Sequence, residues 1–381
     1  MSIAERPVEP EQLHASVRAF VDEVVLPGVA GWDRADELPD GVLARLVGLG
    51  LTGALVPARY GGAGLGVGDL WPAWRVLSQG WISLTGAINP TNLATTLLVR
   101  HGTEAQRERW LPGIASGEVL ASFSITEPQA GSDLQRIETS ARTADDGGLV
   151  LDGDKRWVAG GVSSDVVFLM AAVDGDEKPS CVILPAEGRD SPSWRLEEID
   201  KLGYRGVESA AYAFTEHHAP GAEVLGDGVG AGARQMLDAL DVGRVNVACR
   251  ALGIVDRALA CAVEESNGRA IGDGVLGDHT HAQLRVGELV ARRAAVAALV
   301  ESAARAVDAG ADTARELSTA AKVVASDTAV WAVDRAARLA ASRSFAADDE
   351  LARLRRDAPQ TQIGEGANDA LLMALAKPAL G

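Results

Sequence analysis

SFSITEPQAGSD, residues 122–133, is where the character of this chain changes. Its first half reads as a strand. Its second half is a loop in which Pro128, Ala130 and Gly131 keep the backbone bare while Thr126, Ser132 and Asp133 offer hydroxyls and a carboxylate. Such a loop can lie against a flat polar ring, although taken alone it is also an ordinary β-turn with polar caps.

On its N-terminal side the pattern is helical: PEQLHASVRAFVDEVV, then PDGVLARLVGLGL, then a long segment through TNLATTLLVRHGTEAQRERWL. Breaks are expected at Pro39, Tyr60-Gly61-Gly62 and Pro112-Gly113. From about residue 119 short β-rich runs follow: VLASFSIT, GLVLDGDKRWV, DVVFLMAAV, PSCVILPA, WRLEEI and SAAYAFTEH. Their spacing suits an antiparallel sheet. After GDGVGAG (226–232) long Ala-rich stretches hold a helical period to the end, with lengths that predict a four-helix bundle. The expected architecture is α+β, with an N-terminal helical domain (1–118), a central antiparallel β domain (119–228) and a C-terminal four-helix bundle (229–381).

Composition narrows the function. With 381 residues, 47% of them hydrophobic, the chain can bury sizeable cores, and no apolar run approaches the roughly 18 residues needed to span a bilayer. A net charge of −17 argues against nucleic acid, whose binding rests on neutralising phosphates with Lys and Arg. MSIAERPVEPEQL carries no leader pattern. The three cysteines Cys181, Cys249 and Cys261 form neither a disulfide framework nor a zinc pattern. A cytoplasmic protein without metal is expected.

Two further segments stand out. GDKRWVAGG (153–161) is a strand leaving a turn, with Trp157 as a large planar side chain. DAPQTQIGEGANDALLMALAK (357–377) places Glu365 between Gly364 and Gly366, with Asn368 as N-cap of a last helix that Lys377-Pro378 should end. Each has a plain structural reading, a core tryptophan and a solvated loop acid.

In this order, on this layout, these segments resemble the acyl-CoA dehydrogenase family over nearly the whole chain. LVPARYGGAGLG (55–66), HGTEAQRERWLPGIASGE (101–118), TEPQAGSD, KRWVAGG, DKLGYRGVESAAYAFTEHHAPGAEVLG (200–226) and RRDAPQTQIGEGA (355–367) match its segments in register. The resemblance implies a FAD enzyme that introduces a Cα–Cβ double bond into an acyl thioester of coenzyme A or a carrier protein. Phe123, Ile125 and Thr126 would line the flavin ring, Ser132 would reach the flavin phosphates or the substrate, and Trp157 would stack near the ring. Glu365 would be the base, with Gly366 and Arg244 beside the substrate. Some relatives carry the base immediately before that arginine, where this chain has Gly243. An electron-transfer flavoprotein or oxygen would take the electrons, and a homodimer or homotetramer is implied.

The chemistry needs a base and a hydride acceptor on either side of one C–C bond, and burial raises a carboxylate toward an effective basicity. The pattern also departs from the family. In ESNGRAIGDG (265–274) Gly268 stands where an Arg would meet the flavin pyrophosphate across a subunit interface, with Arg269 one residue away. SFAADDELARLR (344–355) replaces a Gly-rich loop near the nucleotide, and its Asp348, Asp349 and Glu350 would be poor neighbours for a pyrophosphate. Val158-Ala159 follows the Trp in place of Ile-Thr. Two alternatives stay open: a flavin oxidase or monooxygenase on the same scaffold, or a non-catalytic thioester-binding partner subunit, for which the altered 265–274 and 344–355 loops are the support.

Overall fold

The computed structural model describes residues 9–131 and 136–380. Six helices come first: α1 (Pro10–Phe20), α2 (Leu26–Ala35), α3 (Asp40–Gly48), α4 (Val67–Gly80), α5 (Ile82–His101) and α6 (Glu104–Ser116). Helix α6 opens on a reciprocal cap: the Thr103 hydroxyl accepts from the Gln106 N–H at 3.2 Å, and the Gln106 side chain accepts from the Thr103 N–H at 3.0 Å. It then runs through Pro112, where a break was expected, because Trp110, Leu111 and Ile114 on either side are buried. The helix ends instead at Gly117, whose φ of 78° suits a left-handed cap.

The β domain holds β1 (Ala121–Ser124), β2 (Ser140–Thr143), β3 (Leu149–Ala159), β4 (Val166–Val173), β5 (Ser180–Pro185), β6 (Trp194–Glu198), β7 (Ser209–Ala219) and β8 (Glu223–Val224). The expectation of a purely antiparallel sheet is corrected: β1 and β2 each pair with β4 in parallel, while β3·β7, β4·β5 and β6·β7 are antiparallel. Strand spacing in sequence does not reveal which strands become neighbours, and here β1 lies between β3 and β4.

The remainder is helical apart from a short ribbon, β9 (Ala270–Ile271) with β10 (Gly274–Val275). Helices α7 (Gly232–Gly268), α8 (Thr280–Asp308), α9 (Ala314–Ala340) and α10 (Glu350–Ile363) form the bundle, and α11 (Asn368–Leu380) follows. Helix α11 continues through Pro378 rather than stopping at it, since the surrounding last turns are exposed and water can satisfy the freed carbonyl.

The two helical regions share one core, in which Val17, Leu70 and Trp74 pack with Val245, Leu252 and Ala332. A second core joins α5 and α6 to the sheet through Leu97, Leu111, Phe168 and Ile183. Helix α5 sits where both meet, buried over almost its whole length from Ile82 to Leu98. An all-round buried helix is normally apolar. This one buries Asn89, Asn92 and Thr95.

Candidate active site

Glu365 lies in the loop between α10 and α11, as its glycine neighbours suggest, but it is not a solvated acid. Its φ of 55° is left-handed, a conformation unfavourable for a residue with a Cβ and held here by the surrounding structure. The backbone aims the carboxylate into the protein, where Asn89 Nδ2 donates to Oε1 at 2.8 Å. Burial pushes the Glu365 carboxyl above the usual range, and Arg250, the Asn89 bond, Arg244 and Lys322 pull it only partly back. Gly243 is what makes room: a Cβ there would stand 3.0 Å from Glu365 Cδ and 3.1 Å from Leu93 Cδ2. The absence of a side chain on α7 and the carboxylate from the loop are one spatial arrangement.

Two cations hold the loop from behind. Lys322 on α9, fully buried, donates from Nζ to Gly366 O at 2.6 Å and to Asn368 Oδ1 at 2.8 Å. Burial lowers its ammonium to about 7. Arg244 on α7 reaches Glu365 O at 3.5 Å from Nε, while its Nη1 bonds Asp241 at 3.2 Å and Thr319 at 3.3 Å. Among the described residues the Glu365 N–H makes no hydrogen bond, so it is free to donate to a carbonyl. A cleft of about 600 Å³ is lined by Arg100, Asp238, Asp241, Asp308 and Arg315, and of these Asp241 bonds Arg244.

On the sheet side, Phe123 and Ile125 are two apart and share one face of the β1 segment, both half-buried, with Thr126 next to them. Phe123 pairs with Ala159 of β3. Between Lys155 and Val158 the β3·β7 register shifts, and Trp157 takes a φ of 61°. A bulge of this kind re-aims a side chain. Trp157 is accordingly 56% exposed, although it belongs to a strand of the domain core. The Arg156 N–H donates to Thr126 O at 2.9 Å, tying the two segments together. The uncovered apolar surface with an adjacent hydroxyl fits an isoalloxazine ring. Ser132 lies outside the described residues.

The nucleotide half is arranged differently. Arg269 caps the far end of α7, about 39 Å along the helix from Gly243 at 1.5 Å per residue. Its Nη1 donates to Leu339 O at 3.0 Å, and Glu265 lies 3.8 Å away. Two of the three acids that would repel a pyrophosphate are engaged internally, Glu350 bonding Arg257 at 2.6 and 2.8 Å and Asp349 capping α10 at the Leu351 N–H, while Asp348 is exposed.

Sequence reading missed Asn89, Lys322, Arg250 and Tyr204 around Glu365. The signal for Asn89 was available, an amide in an uncharged stretch of α5, but nothing local says which face of that helix meets Glu365.

Three family models cover this chain in order: the acyl-CoA dehydrogenase N-terminal domain over residues 7–118, the middle domain over 122–217 and the C-terminal domain over 230–380. The benzylmalonyl-CoA dehydrogenase of Aromatoleum aromaticum is 30% identical over 97% of this chain and 97% of its own length. The acyl-CoA dehydrogenase of Bacillus subtilis is 28% identical over 98% of each. Among solved structures, butyryl-CoA dehydrogenase from Megasphaera elsdenii superposes with a TM-score of 0.92 at 28% identity, over the whole of both chains. The chain therefore belongs to the acyl-CoA dehydrogenase family and is a FAD-dependent oxidoreductase.

Proposed function

We propose that this protein removes hydrogen from Cα and Cβ of an acyl thioester, with Glu365 as the base that takes the α proton. The observation that carries this reading is the state of Glu365: a half-buried residue whose carboxyl is turned inward, raised above the usual carboxylate range by desolvation, and oriented by Asn89 at 2.8 Å. A carboxylate in water is a weak base; one desolvated here is matched to general-base work. The free N–H of Glu365 would donate to the thioester carbonyl as charge develops on it. Arg244 and Lys322 keep the loop in place while this happens. Phe123, Ile125, Thr126 and Trp157 would hold the flavin ring, whose N5 accepts the β hydride when FAD is bound. The acyl carrier is coenzyme A or a carrier protein, and an electron-transfer flavoprotein or oxygen takes the electrons onward. Exposed Leu284, Val290 and Val324 on α8 and α9 and Leu372 and Met373 on α11 favour a homo-oligomer that covers them.

The test is anaerobic mixing of the purified yellow protein with a panel of acyl thioesters while flavin absorbance is followed. Bleaching by at least one thioester, lost in Glu365→Gln with flavin content unchanged, supports the reading. A panel that bleaches nothing removes it.

A further inference from the structure

Beyond Glu365 the groove between α5 and α7 is polar, and its polar groups are incompletely paired. Leu93 stands opposite Gly243. Two turns further along α7, Arg250 bonds the Tyr204 hydroxyl, which in turn lies against Gly86, two turns back on α5; a Cβ at Gly86 would collide with it. The two helices thus run antiparallel across the groove, and Asn89 and Asn246 fall between these two crossing points.

Arg250 is buried, with Nε donating to Asn246 Oδ1 at 2.8 Å and Nη1 to Tyr204 Oη at 2.9 Å. Both acceptors are neutral, and among the described residues no carboxylate lies within 4 Å of it. A buried guanidinium ordinarily has an anionic partner, and its five N–H donors are only partly used here. The neighbours repeat the pattern: Asn246 Nδ2, Asn89 Oδ1 and both side-chain polar atoms of Asn92 are buried without a hydrogen-bond partner. Of the three cations acting on Glu365, Arg244 has Asp241 as a partner at 3.2 Å and Lys322 also feels Asp327, whereas Arg250 makes no ion pair among the described residues. A hydrocarbon chain entering this groove would leave every one of these polar groups unpaired.

We propose that Arg250, with Asn246 and Tyr204, is the receptor for a carboxylate at the far end of the acyl group, so that the substrate is the monothioester of a short dicarboxylic acid. This rests on the reading of Glu365 as the α-proton base. The carboxylate accepts from the unused guanidinium N–H groups and from Asn246 Nδ2 and neutralises the excess cation. Because Arg250 reaches back to Asn246, three residues from Gly243, the receptor lies about 5 Å along the groove from Glu365 at 1.5 Å per residue, the reach of roughly a four- to six-carbon diacid.

The experiment compares flavin reduction by glutaryl-CoA and butyryl-CoA in the holoprotein, for the parent, Arg250→Gln and the milder Asn246→Ala. The parent is expected to prefer glutaryl-CoA by about 100-fold in kcat/KM, from a charge-assisted pair formed out of water. Arg250→Gln is expected to lower kcat/KM for glutaryl-CoA at least about 30-fold more than for butyryl-CoA, with the loss chiefly in KM, because the contact is present in ground and transition states alike. Asn246→Ala should shift the preference in the same direction, which keeps the test open should Arg250→Gln fail to fold. Equal or better reduction by butyryl-CoA in the parent overturns the receptor and leaves the dehydrogenase standing. An equal loss for both thioesters also overturns it, because Arg250 is then a counter-ion for Glu365 alone. No reduction by any thioester removes the dehydrogenase reading, and the receptor with it.

Discussion

Two fully buried lysines, Lys155 in the sheet and Lys322 in the bundle, are treated in opposite ways. Lys155 Nζ sits 2.7 Å from Glu127 Oε1, and Glu127 also accepts from the N–H groups of Glu138 at 2.7 Å and Thr139 at 3.1 Å. The charge is cancelled where it stands, and the result is a rigid anchor for the loop that follows β1. Lys322 bonds a carbonyl and an amide oxygen instead, so its field, with those of Arg244 and Arg250, also acts on the Glu365 carboxylate. The sheet uses a buried charge to fix a shape. The bundle leaves the Lys322 and Arg250 charges without an ion pair, beside the proposed base.

Glu365→Gln breaks the comparison at its functional end and carries the largest effect: substrate-driven flavin reduction should slow by about 10²–10⁴-fold, the range for a lost general base, with FAD content unchanged. The parent's rate should rise with pH through a midpoint above the ordinary carboxylate range, since only the ionised carboxylate accepts the proton and burial raises its pKa. The variant should lose that limb.

At the structural end, Glu127→Gln strands the Lys155 ammonium and should cost about 3–5 kcal/mol in denaturant unfolding, while Glu127→Leu with Lys155→Met recovers most of it. Equal costs for the single and double variants would show that the pair is not a closed unit. Lys322→Met should cost less, about 1–3 kcal/mol for the two oxygens left unpaired, and should slow flavin reduction as the Glu365 loop loosens. It should also flatten a pH dependence. With the folded pKa lowered by burial from 10.5 to about 7, the unfolded chain binds more protons between those values, so the parent's stability rises with pH across that window.

Asp357 sharpens the contrast with the opposite sign. Burial pushes its carboxyl up from 3.8 to about 6, and Oδ1 accepts from the Tyr204 N–H at 2.8 Å while Oδ2 has no hydrogen bond. Between pH 4 and 6 the folded state holds the extra proton, so stability falls as pH rises, and Asp357→Asn should level that fall. The smallest effect belongs to the exposed pair of Arg142 and Glu216, whose removal by Arg142→Ala should change stability by less than about 1 kcal/mol.

Much of this was legible along the chain because it depends on local order. The change of period at residue 119, the bare loop after Thr126, the planar side chain at Trp157 and the glycine-flanked acid at Glu365 are properties of consecutive residues, and they sufficed to place the family and to nominate a base. What the sequence could not determine was which distant groups would share a space. The parallel pairing of β1 with β4, the opposition of Gly243 and Glu365 across 122 positions, and the meeting of Gly86, Tyr204 and Arg250 arise only when α5, α7 and the α10–α11 loop pack together. The reason is physical: a helix period says that one face is buried, but not which neighbour it is buried against. Whether a buried Lys or Arg is cancelled, as at Lys155, or left to act on a site, as at Lys322 and Arg250, depends on that neighbour.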